Sequence, residues 1–504
     1  MYHNNNPTRR RLKSYPICFN LILNIIIFMM SISNDDKSFV DCMQVQTPPK
    51  RRLVLIGGGH AHVQVLKGLN KKNRPKDMEI TLIDSQRSAS YSGMVPGCVA
   101  KLYSIEQTRF HLEPLCRWAD IEFINDEVID IDMDNNYISI SGKHQKVTFD
   151  VVSFDIGCRS RGLDEVPGAL QYSIPTRPIS RLVERIEEAE KDLENEAHVV
   201  VVGGGAAGIE LAMCIRGRWG PKLGDALRVK LLNSDSELLS PESAACRTAL
   251  KNVLDDRNIQ VIHQCTVREV TSSKIFFHDG GSTEYTHCLW ATGASPHPLA
   301  EKMKSRGIAV SEQGWICVNS HLQCQSHSNI FAAGDCCTIT GLPNGKKSPP
   351  KAGVYAVRSG PVLAQNLVAN LFSTDMIHFQ PQDDFLKLLA CGDGYALGFR
   401  FGIPIEGKWV FKLKDHIDQM FMDLFKEEYL PKPDEAYGNV SEFDAQGDLN
   451  QMQLSSSETA ELLSRIDDGV DYLDAWYCIR AMGKNDLYRI DVLQKMKGKL
   501  TGTA

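Results

Sequence analysis

With 504 residues, 43% of them hydrophobic and 23% charged, the chain has the makeup of a soluble globular protein of roughly two or three domains. A net charge of −6 withholds the basic footprint that nucleic-acid binders carry, so no nucleic-acid partner is expected. Fifteen cysteines, none of them in a CxxC pair, read as scattered reduced thiols and not as a zinc ribbon or a disulfide scaffold.

Residues 1–48 stand apart. Arg9, Arg10, Arg11 and Lys13 precede an uncharged stretch, 14–34, with ILNIIIFMM at its heart. A basic start before an apolar run reads as a targeting or anchor segment, which implies an organellar or membrane-associated address. Asn20 and Asn24 interrupt the run and no small-residue cleavage site follows, so a merely greasy extension is the bland alternative.

TPPKRR at 47–52 marks the start of the folded part. LVLIGGG at 53–59 is an apolar run ending in three glycines, followed by a helix expected over 63–69 and a strand, EITLIDS, over 79–85. Glycine lets a backbone turn tightly against a pyrophosphate, and the helix behind it offers free N–H groups and positive potential. Asp84 ends the second strand, where a carboxylate can accept hydrogen bonds from a ribose. It lies a little beyond the usual spacing of ~20 residues, as an inserted KKNRPKD loop at 71–77 would require. VVSFDIGC at 151–158 closes this first module at Gly157.

After the charged helix expected over 181–196, the pattern repeats. VVVVGGGAAGIEL at 199–211 supplies Gly203, Gly205 and Gly208; HCLWATGASPHPL at 287–299 closes the second module at Gly293. One glycine turn is weak evidence, but two of them joined to FAAGDCC at 331–337 suggest an enzyme that binds FAD and NAD(P)H and passes a hydride between them. SPPKAG at 348–353 then opens another helix, and the chain is expected to return there to its first domain.

The ordered set GGGHAHVQVL, YSGMVPG, DIGC, ATGASP, FAAGDC and PKAGVYAVRSGP resembles the pyridine nucleotide-disulfide oxidoreductase superfamily over roughly residues 50–428. It is similar to the type II NADH dehydrogenase branch and to the flavoprotein module fused to selenide water dikinase; no dikinase sequence follows here. The resemblance implies an α/β fold of two Rossmann-like three-layer domains, the first discontinuous, plus a small C-terminal region. Its partition would be 1–48 targeting segment, 50–165 and 325–380 for FAD, 166–324 for NAD(P), 381–430 as an interface or membrane-facing region, and 431–504 as acidic linker and helical tail.

By the same resemblance, Gly57, Gly58 and Gly59, with His60 beside them, would face the FAD pyrophosphate, Asp84 the adenosine ribose, Val128 the adenine and Asp335 the ribityl chain. Gly157 would close that site. Lys351, Ala352 and Gly353 would bring a helix N-terminus to the flavin, Lys351 with a catalytic role. Gly203, Gly205, Gly208 and Gly293 would take the nicotinamide nucleotide, and Glu210 would lie where nicotinamide and flavin meet, or would hold its helix by pairing with a lysine. One departure is His62, which occupies the slot where glycine or alanine permits close helix–strand packing. His60 and His62 are read as packing and phosphate partners, with no metal site expected. Asn233 stands where an NAD-preferring enzyme has an acid, which leaves NADH against NADPH open.

Disulfide reductases of this superfamily place a CxxxxC pair soon after the first acidic strand end, and here SASYSGMVPGCVAKLY holds Cys98 alone. Electrons would therefore pass from flavin to an outside small acceptor, a quinone being the expectation. Val410, Leu413, Ile417, Met420 and Leu424 recur at helical spacing with Lys408, Lys412 and Lys414 at the edges. That stripe suits either a peripheral membrane contact or packing against the core or a homodimer partner. Two rival functions are a sulfide:quinone-type oxidoreductase, with Cys158 and Cys391 as its thiols, and a flavin-binding partner or regulatory protein.

Overall fold

The computed structural model of the protein describes residues 50–142, 146–428 and 430. The signal-like segment, the acidic linker and the helical tail lie outside the described residues.

The first glycine turn joins β1 (Arg51–Ile56) to α1 (His60–Gly68), and β2 (Met78–Ile83), β3 (Glu122–Ile124) and β4 (Val151–Phe154) follow. The second set comprises β5 (Ile174–Pro175), β6 (Ala197–Val202), α2 (Ala206–Leu223), β7 (Leu227–Leu232), β8 (Ile259–Ile262) and β9 (His287–Trp290). The chain then supplies β10 (Ile330–Ala332) and the long α3 (Gly353–Phe372).

Two five-stranded parallel sheets result. The first has the order β10-β4-β1-β2-β3, so the strand at 330–332 joins a sheet whose other members end by residue 154; the second has the order β5-β9-β6-β7-β8. Their central strands are runs of Val, Leu and Ile buried on both faces, as a parallel sheet covered by helices requires. α3 crosses α1 so closely that a β-carbon on Gly360 would stand 2.5 Å from the Gln64 side chain.

The last described part is an antiparallel sheet, β11 (Lys387–Ala390), β12 (Ala396–Arg400) and β13 (Ile403–Gly407), with α4 (Lys408–Asp423) behind it. Of the apolar stripe of α4, Val410 and Leu413 are buried and Ile417, Met420 and Leu424 are half-buried; Met422, outside the stripe, is buried as well. The Phe421 ring packs 4.9 Å from Tyr91 and 5.8 Å from Phe110, and Phe425 packs 5.1 Å from Phe110. Of the two readings of this stripe, core packing is the one observed. Lys414, expected on a basic edge, is itself buried, bonded to the Gly93 carbonyl at 2.6 Å and to Asp418 at 2.8 Å. Among the described residues no helix is long and apolar enough to cross a membrane.

Candidate functional site

In a parallel sheet every strand delivers its next residues to the same edge, and ligands settle in the crevice there. In the first sheet that edge receives Gly57–Gly59 after β1, Asp84 after β2, Asp155–Gly157 after β4 and Gly334–Asp335 after β10. Val128 begins the Val128–Asp132 strand just past β3. Gly57 turns at φ +87°, and a β-carbon there would strike the Asp155 carbonyl at 2.4 Å. Gly157, at φ +66°, has no atom within 4 Å of where its β-carbon would stand and is open.

The carboxylates at this edge are engaged by the turn itself. Asp84 accepts from the Gly58 amide at 2.6 Å and the Gln86 amide at 2.7 Å, while burial holds its carboxyl above the usual range. Each oxygen keeps a further lone pair for a ribose hydroxyl. Asp335 takes the Cys158 thiol at 3.3 Å and faces Arg177 at 3.9 Å.

The two histidines have partners within the fold. His60 accepts the Ser92 amide at 3.3 Å and packs against the rings of Tyr91 and Phe110, and burial pushes it down to about 4. His62 donates from Nδ1 to the Gly57 carbonyl at 2.6 Å and accepts from Ser153 Oγ at 2.9 Å; burial also lowers it to about 4. Both are neutral imidazoles at physiological pH.

Asp155 was not among the expected site residues. Its carboxylate is 4% exposed and accepts the Ala61 amide at 2.8 Å and the His62 amide at 3.1 Å, capping α1 from a strand more than ninety residues away. Burial raises it to about 7 against the pull of those two amides. The available signal was the second copy, where WATG at 290–293 aligns with FDIG at 154–157 and shows alanine in the same slot.

The N-terminus of α3 begins after Ala352 with no side-chain cap, and a β-carbon on Gly353 would stand 2.7 Å from Ser92 Oγ. Asp335, Lys351 and Ala352 line one cleft together with Gly334, Tyr355 and Ser359. The Lys351 ammonium is spoken for: it donates to the Cys337 carbonyl and sits 4.3 Å from the Trp315 ring centre.

The second edge repeats the plan. Gly203 turns at φ +122° against the Ala291 carbonyl, Gly205 is open, and a β-carbon on Gly208 would fall 1.8 Å from the Gly203 oxygen. Asn233 is 3% exposed and donates to the carbonyls of Asp235 at 2.9 Å and Glu237 at 3.1 Å. It braces the turn and is not aimed at a ribose. Glu210 lies on α2, accepts the Ala390 amide at 2.8 Å and feels the positive charge of Lys414, so its observed contacts are those of a residue holding its helix. The Arg161 guanidinium lies over Gly293, and the two sheet edges are stitched together where Arg159–Ser160 pairs with Ala294–Ser295 and the Arg161 backbone amide donates to the Gly293 carbonyl at 2.8 Å.

All twelve cysteines among the described residues are free thiols. Cys98 is buried, and burial lifts it to about 11. Cys158 and Cys391 keep different company: the first stands with Asp335, Arg177 and Lys351, the second with Arg257, Asp393 and Glu210. They do not form the thiol pair that a sulfide:quinone-type reading required of them.

Residues 51–366 match the family described as pyridine nucleotide-disulphide oxidoreductase. The type II NADH:quinone oxidoreductase of Staphylococcus aureus is 23% identical over 73% of this chain and 94% of its own. Two solved structures share the fold: NDH2 of Plasmodium falciparum in complex with NADH, at TM-score 0.62 and 14% identity over 74% of this chain and 97% of that one, and the sulfide:quinone oxidoreductase of Aquifex aeolicus, at TM-score 0.62 and 18% identity over 79% and 96%.

Proposed function

The chain belongs to the pyridine nucleotide-disulphide oxidoreductase family, and from that premise we propose that it is a FAD-dependent NAD(P)H dehydrogenase that delivers electrons to a quinone or similar small acceptor without a redox disulfide. The observation that carries this reading is the pair of parallel sheets, each with a glycine turn at its carboxyl edge, stitched to one another at those edges. Residues 50–165 and 325–380 would hold FAD, and residues 166–324 the nicotinamide nucleotide.

Bound FAD supplies a two-electron acceptor for hydride from the reduced nicotinamide and a donor to the quinone. The chain's own residues do the rest. The absence of side chains at Gly57–Gly59 lets this turn close against Asp155 and Leu112 and would bring its backbone up to the diphosphate. Asp84 keeps lone pairs for the adenosine ribose, the Val128 backbone would border the adenine, and Asp335 and Gly157 would bound the ribityl side. The uncapped amides of α3 at Ala352 and Gly353 offer positive potential where negative charge develops, and Lys351 fixes their approach through Cys337 and Trp315. Gly203, Gly205, Gly208 and Gly293 form the corresponding cradle for NAD(P)H, and Glu210 holds α2 to β11 beside it.

The quinone assignment is supported by the named activity of the Staphylococcus relative and by Cys98 standing alone between 88 and 103. Peripheral contact with a quinone-bearing membrane belongs to the same proposal, with the exposed Phe401 and Ile403 at the β12–β13 turn as its apolar tip. The test is anaerobic: purify the protein, extract the flavin for identification, and follow flavin bleaching by NADH and then NADPH. Reoxidation by quinones and not by disulfides is expected, and no bleaching with either nucleotide would sink the proposal.

A further inference from the structure

The duplicated modules allow one site to be read against the other in the same register. Asp155 donates its amide to the Ile56 carbonyl at 2.9 Å, and Ala291 donates its amide to the Val202 carbonyl at 2.9 Å. β4 pairs with β1, and β9 with β6, so that Phe154 and Trp290 each face the residue before the glycine turn. Asp155 and Ala291 are therefore equivalent, as are His62 and Gly208, and Ser153 and Leu289. The first module replaces Leu, Gly and Ala by Ser153, His62 and Asp155, and these three are joined: Ser153 to the His62 ring, the His62 amide to Asp155. The second turn shows that the fold does not need a carboxylate here.

The carboxylate occupies the place that an anionic diphosphate wants. A β-carbon on Gly59 would stand 2.3 Å from its Cγ, and one on Gly334 would stand 2.5 Å from its Oδ1, so it lies inside the turn. It takes two of the first amides of α1, while Asp84 takes that of Gly58. Asp84 and Asp335 both add negative potential at Asp155. A diphosphate added to this group would meet a buried, uncompensated negative charge, which is costly unless the charge is removed.

Resting on the FAD reading above, we propose that Asp155 accommodates the FAD diphosphate only as its neutral acid, so that loading FAD takes up one proton at this side chain, whereas the nicotinamide site, with Ala291 in that slot, takes up none. The proton comes from solvent and forms an O–H bond on a carboxylate oxygen, with no bond made to the cofactor. Both amide bonds land on Oδ2, which leaves Oδ1 to carry the proton and to donate it in a hydrogen bond.

Another acid at this edge, Asp84, is also held above its ordinary range by burial, and Asp155→Asn leaves it in place, so a slope that survives that substitution does not belong to Asp155. On α1, His60 and His62 are neutral because burial lowers both to about 4. After β10, burial pushes the Cys337 thiol up to about 12 and Cys336 well above its ordinary range. Lys351 is tied to Cys337, Asp84 to its own turn, and Asp335 to Cys158 and Arg177. Asp155 itself, held at about 7, is the acid poised to respond near neutrality.

The experiment measures FAD affinity of the deflavinated protein from pH 6 to 9, with proton uptake read by calorimetry in two buffers of different ionisation enthalpy. For the native chain the Kd is expected to rise by up to about tenfold per pH unit above 7, with proton uptake small at the acid end of the range and approaching about one per FAD at its alkaline end. Asp155→Asn keeps an oxygen for the two amides and a neutral donor in place of the hydroxyl, so its affinity should be flat with pH and its uptake nil. A flat native profile, or an unchanged slope in Asp155→Asn, overturns the proposal while leaving the FAD reading intact. Failure of both proteins to bind FAD at any pH overturns both. Should Asp155→Asn not fold, Asp155→Ala, which copies the second turn, serves in its place, and the native slope and uptake remain decisive.

Discussion

The imidazole of His62 donates a 2.6 Å hydrogen bond to the carbonyl oxygen of Gly57, the oxygen that in the second turn stands where a β-carbon on Gly208 would fall, 1.8 Å from Gly203 O. The two copies thus solve the same close approach differently, one with a ring that bonds the carbonyl and one with no side chain at all. Gly208→Ala must push the second turn out of shape. It should raise the KM for NAD(P)H at least about tenfold, roughly 1.4 kcal/mol of binding, while flavin content stays at the native level. Loss of flavin with unchanged nucleotide affinity would contradict the assignment of the two turns.

His62→Ala removes two buried hydrogen bonds and leaves a cavity beside Ser153. A loss of about 2–4 kcal/mol is expected in urea unfolding, with a folded but less stable protein.

Lys414 pins α4 over the Gly93 loop through the Gly93 carbonyl and is itself held within the helix by Asp418 at 2.8 Å, the pair being 5–6% exposed. Lys414→Met leaves a buried carboxylate unpaired and should cost about 3–5 kcal/mol, whereas Lys414→Met with Asp418→Leu should recover much of that loss. A double variant as unstable as the single one would show that the bond to the Gly93 carbonyl, and not the charge pair, holds this helix.

Glu210 links pH to stability. Burial raises its carboxyl to about 7 against the opposing pull of Lys414. The folded protein therefore keeps a proton there that the unfolded chain gives up near its ordinary value of 4.5. Its contribution is fully present below that value and is lost as pH rises through about 7. Denaturation midpoints at pH 5 and pH 8 should differ less in Glu210→Gln than in the native protein, in the direction of native destabilisation at pH 8.

The parts of this site that follow a glycine turn or end a strand were legible, because they depend on local spacing and on one edge of a parallel sheet. Asp84 is placed that way, whereas Asp335 comes only with the family resemblance. Asp155 was not, since its partners, the amides of Ala61 and His62, lie far along the chain and no local pattern announces them. The stripe on α4 was readable as a stripe, but periodicity does not say what covers it, and Lys414 read as an exposed edge because charge alone does not reveal Asp418 and Gly93 as partners. Glu210 shows the same limit: its motif suggests chemistry, and its carboxylate is bonded to the Ala390 amide.

Cys98 is the single cysteine where disulfide reductases of the superfamily carry a pair, and burial keeps its thiol protonated at about 11. A thiol that is neither paired nor ionised cannot relay electrons. Cys98→Ser should retain NAD(P)H-dependent quinone reduction within roughly twofold, a rate difference of about 0.4 kcal/mol. Abolished quinone reduction with normal flavin bleaching would place a thiol on the electron path after all.

Asn233 decides what a cofactor-preference experiment can achieve. A carboxylate at a strand end selects NAD by accepting the ribose hydroxyls, so Asn233→Asp looks like the change that would create an NADH enzyme. The amide, however, is buried and its two protons go to the carbonyls of Asp235 and Glu237. An aspartate there would set negative charge against two carbonyl oxygens and remove the Asn233 donor from both, leaving that of Asp235 only the Gln264 amide, a loss on the order of 1–3 kcal/mol. Asn233→Asp should therefore raise the KM for NADH and NADPH together and lower the melting temperature, without shifting their ratio. A selective gain for NADH would mean that the 235–237 turn gives way and lets the side chain reach the ribose, in which case preference in this chain is set by that turn and not by the strand end.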